Sequence, residues 1–477
     1  MKSSLSLEGF RHEKDYNRGA KKGCEILQLP LHPSKNCIAK ERVLLRLKQR
    51  NQSLASLLKM PMVKDPMQRM RMKLHSTTQE FANLSQNSAL VKLIELRALR
   101  DAYELRAVGP DLAHMFANSA VGLVKEEHFK TAFAYANLAT SIMNRSPDAE
   151  SGWIRLKLKF GVLQLRHAFH EDVPNCEVLY KHLISGGSVS EGMGCALTCT
   201  QAYYCAGLPL NSIWGTKLLL YERAARDFGK DSFVLLFQLN RQFLLNLSGK
   251  SKGKPTMFNG EAFDEDVALS KLEGNSRSMA VRDVSTLRMQ IAFIFGDDES
   301  MDKMIEILVT YPLTDMMVAR QHLRLSFLGL AILTRGKKVK LTKEVKAVGQ
   351  KILKRFSVLS RAGSPNALPV HLCLKAIQNM SVAAFDKAIE ASGAANMLHL
   401  EAVMNERCAL LLQDKGDNAQ MQEYLTKAVQ SYQAWGAHAK VANLKQQHTF
   451  LQSYKATAPK AKSTVSSVGT SVVFSKG

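Results

Sequence analysis

Apolar residues spaced three or four apart recur through almost the whole chain, and this period limits what it can fold into. An α-helix completes a turn in 3.6 residues, so such spacing lines apolar side chains along one stripe, whereas a half-buried strand needs strict alternation. From Lys92 to Leu105 the stripe consists of Leu93, Ile94, Leu96, Leu99, Ala102, Tyr103 and Leu105. The same spacing predicts helices over Lys130–Ile142, Trp153–Phe169, Ala196–Ala206, Ile213–Phe228, Phe233–Leu247, Thr286–Phe295, Met301–Val309, Asp315–Thr334, Lys343–Leu359, Val370–Ala391, Met397–Gln413 and Gln420–Trp435. Few stretches alternate over a strand's length, and Gly, Pro, Asn or Asp commonly mark the connections. The expected class is therefore all-α. More narrowly, it is an α-solenoid, a degenerate tetratricopeptide-like helical repeat array.

Internal repetition is weak and lies near the C-terminus. Phe385 with Ala388 and Leu425 with Ala428 share one spacing and stand 40 residues apart. A small residue one turn from a large one suits the close contact in a tetratricopeptide-like hairpin, whose usual period is about 34. Hairpins of this kind bury their faces only by stacking, and the stack offers a binding surface. Three stretches interrupt the pattern. Residues 1–40 show little periodicity and are expected to pack poorly. Residues 248–265 begin with the Gly/Lys/Ser-rich Ser248–Gly260 and should form an exposed basic loop. Residues 455–477 read as a disordered Ser/Lys/Thr tail. Between these lie a helical array over 41–247 and a repeat array over 266–454.

Against 65 Lys plus Arg stand 42 Asp plus Glu, a net charge of +23. Such an excess favours acidic partners or surfaces. One basic block runs from Arg42, Arg46, Lys48 and Arg50 through Arg69, Arg71 and Lys73. A second holds Arg335, Lys337, Lys338, Lys340, Lys343, Lys346, Lys351, Lys354 and Arg355. Neither carries the stacking aromatics or motif of a nucleic-acid reader, so a solvated helix face is the preferred reading, with nucleic acid or another anionic surface as the alternative ligand. No stretch reaches the roughly 18 consecutive apolar residues of a membrane helix, so no membrane insertion is expected. Eight scattered cysteines without a secretory signal imply a reducing, cytoplasmic or nuclear setting.

The chemistry-bearing residues each have a structural reading. Gly249-Lys250-Ser251 ends like a phosphate loop, but the first glycine that such a loop needs is replaced by Leu244. Cys195, Cys199 and Cys205, with His182, lack the spacing of a zinc knuckle and suit a core. His167 and His170 would share a helix face, without the carboxylate of a metalloprotease motif. Asp264, Glu265 and Asp266 stand where a loop becomes a helix, and carboxylates there stabilise the first turn. No catalytic set, metal site or cofactor is expected, and the chain is read as a non-enzyme.

Several segments resemble a known family. Asn246-Leu247-Ser248-Gly249-Lys250-Ser251, continued by Gly260-Glu261-Ala262-Phe263-Asp264-Glu265, resembles an NLxGxS…GExFDE signature. Ala132–Ala136, Gly207-Leu208-Pro209-Leu210 and Pro61–Pro66 are similar to further elements. Tyr432-Gln433-Ala434-Trp435-Gly436-Ala437-His438-Ala439-Lys440-Val441 resembles a closing YxxWGAxAKV. Together, over roughly residues 60–445 and in family order, they resemble the helical region following the AAA-type ATPase in multi-domain signalling proteins that join a serine/threonine kinase, an ATPase and a histidine kinase. The resemblance implies a repeat scaffold for protein partners, with a signalling kinase or ATPase as the expected context. Since this chain has no kinase or ATPase modules, their activities are not implied. Trp435, Lys440, Lys338 and Lys340 are the candidate partner-binding residues. Trp435 is also the candidate plug of the last repeat, and in that role its loss should loosen only the last two or three helices.

Overall fold

The computed structural model describes residues 13–49, 53–85, 87–145, 158–251, 253–270, 272–314 and 317–452. The described residues are all-α, with isolated bridges but no β-strand, and adjacent helices pack into a repeat array. The first half comprises α1 (Glu13–Leu27), α2 (Lys35–Gln49), α3 (Pro66–Leu84), α4 (Ser88–Leu105), α5 (Pro110–Lys125), α6 (Phe129–Met143), α7 (Phe169–Ser185), α8 (Val189–Cys205), α9 (Ser212–Asp227) and α10 (Asp231–Ser248). Next come α11 (Glu265–Ser270), α12 (Gly274–Phe295), α13 (Asp298–Leu308), α14 (Val318–Lys338), α15 (Lys343–Arg361), α16 (Ala367–Asn379), α17 (Val382–Ala394), α18 (Leu398–Asp414), α19 (Asn418–Trp435) and α20 (His438–Gln447).

Neighbouring helices form the hairpins that the periodicity predicts, among them α5–α6, α7–α8, α9–α10, α16–α17 and α18–α19. The repeated pairs lie on the second helices of two successive hairpins, one turn further along in the later one. Phe385 and Ala388 are on α17, Leu425 and Ala428 on α19, and all four are buried. Local chemistry sets the boundaries. Asp65 caps α3 by accepting from Met67 N and Gln68 N, with Pro66 in the first turn where its missing N–H costs no hydrogen bond. Gly416 (φ 77°) and Asp417, which accepts from Gln420 N, turn α18 into α19.

One hydrophobic cluster extends from Ala20 to Leu451 and ties both halves together. Its centre is α14, which packs on α12, α13, α15 and α16 and also on α8, far earlier in the chain. Near the end of the chain, α20 rests on α10. Contacts therefore extend beyond sequence neighbours, which a simple linear stack lacks.

Four expectations need correction. Residues 13–40 contain α1 and the start of α2; Ala20, Cys24 and Leu29 are buried, and α1 packs on α3, so this part is ordered by burying small residues. The continuous run over Val370–Ala391 is broken, because Met380 adopts a left-handed φ of 51° and Ser381 caps a new helix through Ala384 N. The described part of Trp153–Phe169 is a short helical turn and a 3-10 segment at Leu163–Leu165, with a new helix starting at Phe169. The stretch 248–265 exposes Lys250 and Lys254 but buries Phe258 and Phe263 against the array. Residues 1–12, Arg50 and the tail from 453 lie outside the described residues.

Candidate interaction surface

Two of the four candidate residues are interior. Trp435 ends α19 completely buried, and Gly436 follows at φ 93° as the helix cap. The Trp435 carbonyl accepts from Leu210 N at 2.6 Å. A β-carbon on Gly436 would sit 2.9 Å from Leu210 O, so this backbone crossing requires glycine both for its φ and for its closeness. The indole lies 5.6 Å from the His399 ring, which is 6.1 Å from Phe327 on α14. At Gly207 a β-carbon would collide with His399.

Lys440 lies one turn into α20, only 2 % exposed. Its Nζ donates to Glu406 Oε1 at 2.7 Å, while the Tyr432 hydroxyl donates to Oε2 at 2.7 Å, so both carboxylate oxygens are engaged. Burial holds the Lys440 ammonium below its usual value, and burial together with the Glu406 charge raises Tyr432. Gly249, the left-handed cap of α10, sits against the Ala439 backbone. The segments 207–210, 246–251 and 432–441 thus meet at one junction although they are far apart in sequence. Trp435 and Lys440 hold it together. They have no surface to offer a partner.

The second basic block divides by geometry. Arg335 is buried and bidentate on Asp302, with Asp298 also in contact; these acids raise its pKa. Lys338 is exposed and pairs with Asp298 at 3.0 Å. Arg355 is buried between Glu127 and Gln321, and desolvation lowers its pKa. Lys337, Lys340, Lys343, Lys346, Lys351 and Lys354 are exposed without a salt-bridge partner among the described residues. The opposite face of α15 buries Ile352, Leu353, Phe356 and Leu359 against the array, which fixes the lysine-bearing face outward.

The other chemistry-bearing residues are taken up by packing. Gly249 follows the C-terminus of α10, where the helix dipole is negative and carbonyls are free, the wrong end for a phosphate. The thiols of Cys195, Cys199 and Cys205 donate to the carbonyls of Cys176, Val173 and Ala319, and desolvation raises all three; for Cys199 a bond from Cys176 is the larger cause. His182 is exposed, apart from those buried thiols. His167 precedes α7 and His170 lies in its first turn, so they do not share a helix face. Asp264 accepts from Val267 N, as expected of a carboxylate at a helix start, whereas Glu265 pairs with Arg288 of α12. No group of three or more His, Cys, Asp or Glu among the described residues is arranged to hold a metal ion. A cleft lined by Gln201, Asn240, Asp283 and Arg320 offers about 20 Å³, room for about one water molecule.

A buried polar seam joins α3 to α6, and its sequence pattern did not single it out. Glu95 accepts from Ser119 at 2.8 Å, Lys92 at 2.9 Å and Tyr135 at 3.1 Å. Glu80 contacts Asn118 at 2.9 Å and His114 at 3.1 Å, and Asp101 contacts Arg71 at 2.8 Å and His75 at 3.0 Å. Each carboxylate has at least two partners on neighbouring elements, which fixes how those helices align. The hydrogen bonds and charges from His75 and Arg71 outweigh desolvation, the largest single influence on Asp101, and lower its pKa.

Fold and surface together define an all-α helical repeat array whose buried charges are largely neutralised within the chain and which displays a basic outer helix. Comparisons with protein families, with curated proteins and with solved structures find no match. No described helix is long and apolar enough to cross a membrane.

Proposed function

We propose that this protein is a non-catalytic scaffold that binds other proteins, in a signalling context with a kinase or an ATPase. The observation that carries the reading is the outward face of α15, a row of cations without internal partners on a helix whose other face is anchored in the core. A charge that served only the fold would be expected to have a partner, as Arg335 and Arg355 do. The signalling context is drawn from the family-like segments. Three of them, 207–210, 246–251 and 432–441, meet at one junction, which supports reading these as parts of a shared scaffold. The raised pKa values of the buried cysteines support the non-catalytic reading, since a nucleophilic thiol needs a lowered one. Affinity purification of the full-length chain from its own cell, followed by mass spectrometry, tests the proposal. Recovery of a defined protein set that includes a kinase or ATPase is expected. Nucleic acid alone, with binding that weakens steeply as salt rises, would reject it.

A further inference from the structure

We infer that α15 is the docking site for an acidic helical segment of another protein, an inference that rests on the scaffold reading above. Lys343, Lys346, Lys351, Lys354 and Arg361 are exposed, and a helical projection places them within one side of α15. At 1.5 Å per residue the row is about 27 Å long, or about five turns. The only carboxylate on α15 is Glu344, in its first turn. None of the five cations has an ion-pair partner among the described residues, so their combined field meets solvent.

The form of this row favours one class of anion. The steps of three, three and seven residues (Lys343–Lys346, Lys351–Lys354, Lys354–Arg361) follow the helical repeat, while the five-residue step from Lys346 to Lys351 spreads the row across the face. Carboxylates three, four or seven apart on a second helix lying alongside would therefore face most of it. The face has no exposed aromatic for base stacking, and no residue of α15 is among the large exposed hydrophobics. It therefore has nothing to insert into a bilayer, where an interfacial helix buries an apolar face beneath its cations. A duplex presents phosphates on two strands across a groove, whereas these cations spread over one side of a single convex helix. A helix packed side by side also repeats the geometry by which α15 meets α14 and α16.

The test titrates the full-length protein with three probes in parallel. The first is a helical peptide of about 20 residues, roughly 30 Å long, with glutamate at every third or fourth position. The others are a duplex DNA of equal length and phosphatidylcholine vesicles containing phosphatidylserine. The peptide should bind most tightly. The variant Lys343→Glu/Lys346→Glu/Lys351→Glu/Lys354→Glu should weaken it at least about tenfold, the sum of several modest surface pairs. All four sites are exposed, so the fold should survive, and the corresponding Lys→Gln set gives an intermediate loss without charge reversal. Tighter binding of DNA or vesicles, or equal peptide affinity in the variants, overturns the inference. Partners recovered from cells equally well by the quadruple variant would also remove the site from α15 while leaving the scaffold reading intact. A chain that captures no protein partner removes both.

Discussion

Replacing Trp435 with alanine tests whether the junction holds the C-terminal repeats onto the middle of the chain. A tryptophan buries roughly 150–250 Å², which at about 25 cal/mol per Å² is about 4–6 kcal/mol. Emptying large aromatic sites typically costs about 3–5 kcal/mol. One feature lowers the expected value. The buried indole Nε1 has no hydrogen-bond partner, so its removal relieves a desolvated donor and offsets about 1 kcal/mol. A loss of about 3 kcal/mol is expected in urea denaturation, and Trp435→Phe should cost less because it keeps a ring against His399. Hydrogen exchange then locates the damage. The last two or three helices would loosen alone in a plain array, but the bond from Leu210 N to Trp435 O and the packing of Gly207 on His399 carry the effect into residues 207–214. Faster exchange is expected there and over 397–447, with α3 to α6 unchanged. A loss under about 1 kcal/mol, or unchanged exchange at 207–214, would refute the reasoning.

Gly436→Ala should destabilise by more than about 2 kcal/mol, combining a left-handed φ with contact on Leu210, whereas Gly416→Ala, with open space around it, should cost only about 1 kcal/mol; equal losses in thermal melts would contradict this. Burial pushes His322 and His399 down to about 3, with the His322 charge as a second cause for His399, so the unfolded chain binds more protons below its ordinary value of 6.5. Stability should therefore fall as pH drops from 6.5 toward 3, by about 2 kcal/mol for each ring between pH 7 and 5; His322→Phe should flatten the dependence, and urea midpoints that match at the two pH values would count against it. Desolvation raises Cys24 and Cys408 to about 11 and Cys373 to about 12, and seven of the eight thiols are buried. Thiol titration of the native protein at mildly alkaline pH should find Cys37 reacting quickly and the rest slowly.

The helical class was legible because it depends on local period alone. Boundaries failed where the deciding conformation fell on an unexpected residue, as at Met380, a non-glycine in the left-handed region between Asn379 and the cap Ser381, polar residues too few to interrupt the apolar period around them. The helix α1 was missed because it buries Ala20 and Cys24 in place of large residues, although its polar and apolar faces are well separated. Of the candidate residues, Lys338 and Lys340 are at the surface, and Trp435 is buried, as a plug would have to be. Lys440 was misplaced because its partner Glu406 lies 34 residues away, and a lysine reads as exposed until its counter-charge is known. Arg355 repeats the lesson at greater range, since Glu127 is 228 residues away. Pairing in space decides which charges of a basic block serve the fold and which face outward, and spacing along the chain carries no trace of it.

The junction also bears on how the chain is made. Synthesis runs from the N-terminus and domains generally fold as they emerge, yet the turn at Gly207–Leu210 closes only against residues 397–436, about half the sequence later. Until α20 has also left the ribosome, the surface of α10 that will receive it stays uncovered. A nascent chain stalled short of Trp435 should therefore hold an apolar seam open for chaperones. Deleting whole hairpins, which a nearest-neighbour solenoid tolerates, should instead leave this chain without its lock.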